Sequence, residues 1–167
     1  MTIINTPRLL IRSFTEADAT GLHAILGDAE TMRYAEPAYD FEKTRNFLTS
    51  FCIAQNGALA AVHRESGKMI GYILFKEYEK DVYEIGWFIN RAYWRQGYAY
   101  EACSAVIDYA LEKLKAKKVF AETIDTEKSL PLMLKLGMEA EKNRNSITTD
   151  NEGKECVLHY FSIVRNR

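Results

Sequence analysis

The chain has 167 residues, of which 47% are hydrophobic and 12% aromatic, enough apolar surface for one buried core. Its 22 Lys and Arg nearly balance 23 Asp and Glu, so binding to the phosphates of nucleic acid is not expected. No stretch reaches the roughly 20 apolar residues of a membrane span, and the N-terminus lacks a signal-peptide pattern. These features predict a single cytoplasmic domain over residues 1–167 that contacts neither nucleic acid nor membrane.

Cysteine and histidine are too scattered along the chain to suggest a metal centre. Cys52, Cys103 and Cys156 are each isolated in an apolar pattern, as buried thiols are. The three histidines are also far apart and show no ligand spacing. We therefore expect neither a disulfide framework nor a bound metal.

Hydrophobic periodicity predicts a short strand, two helices and an antiparallel meander in the first half of the chain. Thr15 is the expected start of a helix that ends near Gly27, and Asp40 starts a second helix that ends near Gly57. An irregular link is predicted between these helices. Apolar and β-branched runs predict strands at residues 9–11, 58–63, 69–77 and 82–89. Short turns join the last three strands into the meander.

The second half of the chain contains the unit around which the rest is organised: the strand at 82–89, a loop and a long helix. Apolar residues recur every three or four positions over 99–114, which predicts one buried helix face. A strand follows at 119–124, and it must be parallel to the strand at 82–89 because a whole helix crosses between them. A short helix at 129–136 and a pair of C-terminal strands complete a mixed α/β (α+β) sheet.

The loop before the long helix is a candidate anion site. It combines the cation of Arg95 with two small residues, Gly97 and Ala99, where a helix begins. The first N–H groups of a helix have no internal partner and carry partial positive charge, which suits a phosphate. A glycine here can equally be a tight connection, and the dinucleotide pattern Gly-x-Gly-x-x-Gly is absent.

This loop resembles the cofactor-binding motif of the GNAT superfamily of N-acetyltransferases, in which Arg or Gln is followed by x-x-Gly-x-Gly/Ala. Gly97 and Ala99 match the two small positions, and Trp94 replaces the Arg or Gln, as in the branch of ribosomal-protein N-terminal acetyltransferases. Residues 6–12 and 126–138 resemble further sequence motifs of the same family. The resemblance covers essentially the whole chain, and it implies a sheet in which the two parallel strands splay apart.

The resemblance also implies acetyl-CoA as the co-substrate. Its pyrophosphate would lie on the amides of residues 95–100 and its pantetheine arm would enter the splay, where a free backbone edge can pair with it like an added strand. Thr126 stands where the family has an Asn. The cofactor-binding residues that the resemblance implies are Trp87, Phe88, Ile89, Arg95, Gln96, Gly97, Tyr98, Ala99, Tyr100, Thr126 and Ser129.

Transfer of an acetyl group to an amine needs a base and a donor for the developing oxyanion. Glu84 is the first candidate for the base because it is a carboxylate on the central strand; Glu122 or a water chain is the alternative. A backbone amide at Phe88 or Ile89 is the candidate oxyanion donor. Ser129 is the nearest hydroxyl for the leaving thiolate, and it can equally be a plain helix cap. No acyl-enzyme is expected.

The sequence leaves the acceptor amine open. A peptide α-amine, a polyamine, an amino sugar or an antibiotic amine would suit the same scaffold, in a monomer or a homodimer. Tyr34, Tyr39 and Phe41 are candidates for the acceptor groove, with core packing as the alternative. Met133 occupies the position of a proton-donating tyrosine, and together with Thr126 it favours a rival interpretation as a non-catalytic acyl-CoA sensor. An interaction domain on the same fold is a second rival.

Overall fold

Over residues 2–166, which the computed structural model describes, nine strands form one mixed sheet between two layers of helices. The strands are β1 Ile3–Asn5, β2 Leu9–Ser13, β3 Ala58–His63, β4 Met69–Glu79, β5 Val82–Ile89, β6 Lys118–Thr123, β7 Glu139–Ala140, β8 Ser146–Thr149 and β9 Glu155–Val164. The α-helices are α1 Ala19–Leu26, α2 Phe41–Phe47, α3 Tyr98–Asp108 and α4 Ser129–Lys135. Within this range no helix has the length and apolar character that crossing a membrane requires.

The predicted mixed α/β sheet is confirmed. The strand order is β1-β2-β3-β4-β5-β6-β9-β7, and β8 pairs with β9. Only β5 and β6 run parallel among these pairs, because α3 crosses over between them. The sequence pattern does not predict β1, since three residues are too few to show a period. The expected long helices are also different in detail: α2 and α3 each continue as a π-helical turn, Leu48–Ile53 and Tyr109–Lys113.

The two faces of the sheet bury separate apolar clusters. Side chains alternate across a strand, and β4 shows the division clearly. Ile73 and Phe75 belong to the cluster beneath α3, whereas Tyr72 belongs to the cluster beneath α1 and α2. The same alternation along β5 sends Ile85 towards α3 and Phe88 to the opposite face. One sheet therefore offers α3 on one side and an aromatic surface on the other.

The parallel strands β5 and β6 separate soon after they begin. They pair at Val82 with Lys118, at Tyr83 with Val119 and at Glu84 with Phe120, and the pairing stops there. Beyond Glu84, β5 stays with β4 instead, as far as the hydrogen bond from the Asn90 N–H to the Ile70 carbonyl at 2.7 Å. A gap therefore opens in the middle of the sheet, lined on both sides by strand edges without a neighbour.

Candidate active site

The loop that leads into α3 is built from alternating left-handed residues. Arg95 has a φ of 60° and Gly97 a φ of 83°, with Gly97 immediately before the first helical residue. Such a backbone turns successive N–H groups towards one side and forms a concave anion site. Within the described chain, the N–H groups of residues 95–100 donate to no protein acceptor. The sequence expectation of a free-amide loop agrees with this geometry.

A cleft of about 740 Å³ connects this loop with the gap between β5 and β6. It gathers most of the residues singled out by the sequence, including the base candidates Glu84 and Glu122 and the loop residues from Gly97 onward. Gln96 and Thr126 do not line the cleft. Gln96 is exposed and its side-chain amide donates to the Ala92 carbonyl at 3.3 Å, while Thr126 is exposed in the turn before α4.

Two lysines of the family-like segment 126–138, which the sequence analysis does not assign to the cofactor site, add positive charge at the loop end of the cleft. The Nζ of Lys128 lies 4.1 Å from the ring centre of Trp94, and the Nζ of Lys135 lies 4.5 Å from that of Tyr100. Both lysines line the cleft together with Arg95. Lys128 directly precedes α4 and Lys135 is its last residue, and this pair of cations at the two ends of one short helix could have suggested a positively charged site.

The far end of the cleft is acidic. Glu84 pairs in register with Phe120, so Glu122, two residues further along β6, lies on the same face of the sheet. Burial raises the pKa of Glu84 above its ordinary value, the charge of Glu122 raises it further, and Lys76 opposes the shift. Glu30, on the link between α1 and α2, also lines this end.

The two carboxylates have different surroundings. Glu122 is exposed, and its carboxylate is the main cause that raises the pKa of the Tyr160 phenol to about 12. Neither carboxylate has a hydrogen-bond or ion-pair partner within residues 2–166, but Glu84 is half-buried and burial is the main cause that raises its pKa. A free carboxylate with a raised pKa is better suited to accept a proton near neutral pH.

The gap also exposes a backbone amide. Successive N–H groups of a strand point to opposite edges, and the Asn90 N–H points to β4. Alternation therefore directs the Phe88 N–H to β4 and the Ile89 N–H into the gap. The Ile89 carbonyl, on the same edge, already accepts a 2.7 Å hydrogen bond from the Trp94 indole. Ile89 rather than Phe88 thus offers the free donor.

The turn before α4 is held by a residue that the sequence analysis missed. Asp125 is 6% exposed, and its carboxylate accepts hydrogen bonds from the N–H groups of Glu127 and Lys128 at 2.9 and 3.0 Å. The Ser129 hydroxyl donates to the same carboxylate over a longer 3.4 Å. Asp125, not the adjacent Thr126, is therefore the buried anchor of this turn.

The link between α1 and α2 forms a roof over the acidic end. Thr31 and Tyr34 line the cleft, and the roof is tied to the β8–β9 turn because the Asn151 amide donates to the carbonyls of Met32 and Arg33. Of the other groove candidates, Tyr39 is buried in the core beneath α1 and α2. Phe41 is 43% exposed and does not line the cleft.

Comparison with known proteins identifies the architecture. The model of the acetyltransferase (GNAT) domain matches residues 8–139. The uncharacterised N-acetyltransferase YnaD of Bacillus subtilis is 31% identical over 142 residues, 83% of each chain. A GNAT-family acetyltransferase from Bacillus anthracis has a TM-score of 0.86 at 27% identity over 98% of both chains. RimL, a ribosomal L7/L12 α-N-protein acetyltransferase solved with coenzyme A, has a TM-score of 0.82 at 15% identity over 98% of both chains.

The splayed sheet and these likenesses define the protein as an acyltransferase. More particularly, the chain belongs to the GNAT family of N-acetyltransferases. No group of three or more His, Cys, Asp or Glu side chains in residues 2–166 is arranged to hold a metal ion.

Proposed function

We propose that the protein transfers the acetyl group of acetyl-CoA directly to a primary amine. The observation that carries this proposal is that two sets of free backbone amides, at the α3 loop and at the β5 edge, open into one cleft. A pyrophosphate suits the first set and an amide-rich pantetheine suits the second. The coenzyme A bound to RimL supports the same class of co-substrate.

In the proposed complex the loop amides and three cations hold the pyrophosphate. Arg95, Lys128 and Lys135 supply charge around the amides of residues 95–100. The pantetheine lies along the β5 edge formed by residues 87–89, and the thioester carbonyl accepts a hydrogen bond from the Ile89 N–H. This donor is fixed before the reaction, so it stabilises the developing oxyanion without reorganisation.

In the proposed chemistry Glu84 is the general base. The neutral amine attacks the thioester carbon, the new C–N bond forms, and Glu84 takes the ammonium proton directly or through one water. Collapse of the tetrahedral intermediate breaks the C–S bond and releases the CoA thiolate. A thiol has an ordinary pKa near 8.5, so the thiolate can leave near neutral pH without the tyrosine that Met133 replaces. The long contact of Ser129 with Asp125 leaves its hydroxyl able to turn and donate to that thiolate.

The charge distribution of the cleft favours a cationic acceptor. Basic side chains surround the loop end, whereas Glu30, Glu84 and Glu122 line the opposite end. An amine arrives mostly as an ammonium ion, which these carboxylates attract. A peptide α-amine, with an ordinary pKa of about 7.7–8.0, loses its proton far more readily than a lysine side chain at about 10.4.

A coupled assay of CoA release over a panel of amines tests the proposal. We expect acetyl-CoA to bind in calorimetric titration and at least one amine to be acetylated. The Glu84→Gln variant should then lose about 10²–10⁴-fold in kcat, the usual contribution of a general base, and keep its acetyl-CoA affinity. Glu122→Gln is the matched control and should retain most of the activity.

Three results would contradict parts of this proposal. If acetyl-CoA does not bind, the cofactor assignment is wrong. If acetyl-CoA binds but neither peptide nor small-molecule amines are acetylated, the rival function of an acyl-CoA sensor is favoured. Equal activity of the Glu84→Gln variant and the unmodified protein would exclude Glu84 as the base.

A further inference from the structure

We propose that Arg8 is a positioning residue that aims the amides of the α3 loop at the pyrophosphate. Arg8 precedes β2 and lies 88 positions before the loop that it holds. It does not line the cleft, so it acts through the loop and not by touching the cofactor. The inference rests on the proposed function, because it presupposes that acetyl-CoA binds at this loop.

Three contacts join the Arg8 side chain to the loop and to α3. Its Nη1 donates to the Gln96 carbonyl at 2.9 Å, and its Nε donates to the Glu101 carboxylate at 2.6 Å. Its guanidinium carbon lies 4.1 Å from the ring centre of Tyr98. A planar guanidinium can make all three contacts at once, whereas an ammonium is a single point charge.

The bond to Gln96 fixes the direction of the next amide. The carbonyl of Gln96 and the N–H of Gly97 belong to one planar peptide unit and point in opposite directions. Arg8 holds the Gln96 carbonyl on the side away from the cleft, and the Gly97 N–H is therefore turned towards the cleft. The left-handed φ of Gly97 is compatible with this orientation.

Arg8 also forms an ion pair with the Glu101 carboxylate. This carboxylate accepts further hydrogen bonds from the Thr6 hydroxyl at 2.7 Å and from the Arg8 N–H at 2.8 Å. Burial raises the Glu101 pKa, but these hydrogen bonds and the charge of Arg8 outweigh it and keep the pKa below its ordinary value. An ionised carboxylate in the first turn of α3 would repel a phosphate at the helix start. Arg8 neutralises that charge within the pair.

Measured KM values for acetyl-CoA and for the amine test this inference in the full-length protein. We expect Arg8→Gln to raise KM and Kd for acetyl-CoA by about tenfold or more, the scale of one charge-assisted hydrogen bond. The KM for the amine should stay within about twofold, because Arg8 contacts the loop and α3 and not the acidic end of the cleft. Arg8→Lys, which keeps the charge but not the three contacts, should give an intermediate value.

Arg12→Gln is the matched control for a structural effect. Arg12 lies on β2 and forms two hydrogen bonds with Asp18, at 2.8 and 2.9 Å, that do not involve the loop. The Arg12→Gln variant should lower the midpoint of thermal unfolding, as Arg8→Gln does, but it should leave the KM for acetyl-CoA unchanged. If Arg8→Gln binds acetyl-CoA as well as the unmodified protein, or if Arg12→Gln weakens binding equally, the positioning role is wrong. If the unmodified protein binds no acetyl-CoA, the proposed function fails instead.

Discussion

Replacing Gly97 with alanine tests whether the left-handed backbone at the start of α3 is required in the acetyl-CoA complex. Gly97 has a φ of 83°, and a Cβ added there would meet the Arg8 Nη2 at 3.4 Å, an ordinary van der Waals contact. The new methyl group therefore has space. The substitution instead costs free energy because a residue with a side chain is less stable in the left-handed conformation, by about 1–2 kcal/mol.

This cost can appear in two measurements. If the loop keeps its conformation in the free variant, the free energy of unfolding falls by the whole amount and the Kd for acetyl-CoA is unchanged. If the free loop relaxes, its amides must be realigned on binding, and part of the loss appears in Kd. The sum of the two losses in free energy depends only on the bound conformation. A sum of about 1–2 kcal/mol corresponds to a factor of about 5–30 in the product of the folding and binding constants.

Urea unfolding gives the first loss, and calorimetric titration with acetyl-CoA gives the second. Gly67→Ala is the matched control, because Gly67 has a φ of 70°, has no atom within 4 Å of an added Cβ, and does not line the cleft. It should lose about 1–2 kcal/mol of unfolding free energy with no change in Kd. A combined loss below about 0.5 kcal/mol for Gly97→Ala, with a normal loss in the control, would mean that the acetyl-CoA complex does not require a left-handed residue at position 97.

Two further predictions concern carboxylates that are shielded from solvent, the half-buried Glu84 and the buried Asp125. Because burial raises the pKa of Glu84, folding favours its protonated form, so Glu84→Gln should raise the free energy of unfolding at pH 7. That gain should shrink to nothing as the pH falls below the ordinary value of 4.5, where both states are protonated. Asp125→Ala leaves two N–H groups in the turn before α4 without their acceptor and should cost about 1–2 kcal/mol, measured by urea unfolding.

Each of these predictions has an outcome that contradicts it. For Glu84→Gln, a gain in unfolding free energy that is equally large at pH 4 and pH 7 would mean that ionisation is not its cause. For Asp125→Ala, the control is Asp150→Ala in the β8–β9 turn, whose carboxylate also accepts from two N–H groups, those of Glu152 and Lys154. Water can replace the Asp150 carboxylate because this turn is exposed, so equal losses in the two variants would show that burial of Asp125 is unimportant.

The central unit of the fold could be predicted because its signals are local. The alternation of β5, the helical period that follows and the glycine before α3 each depend on neighbours a few residues away. The parallel arrangement of β5 and β6 followed from the length of the crossover. The gap between them came from the family resemblance, and the structure confirms it through pairing that ends at Glu84 and Phe120.

Several features of the site could not be read from any local pattern. The choice of Ile89 over Phe88 as the free amide depends on which edge of β5 meets β4. Asp125, not Thr126, anchors the turn before α4 because its carboxylate is the one buried against the turn's N–H groups. Tyr39 lies in the core because of where α2 packs.

Local signals in the sequence predicted most of the strands and helices and the loop before α3, because backbone preference and hydrophobic period act over a few residues, and the resemblance of short motifs indicated the family. The tertiary structure alone decided which distant groups meet. Arg8 contacts Gln96 and Glu101 across about ninety residues of chain, and Glu84 and Glu122 share a cleft, because sheet register brings them together. Contacts of this kind depend on how the whole chain packs, so the spacing of the residues in the sequence does not reveal them.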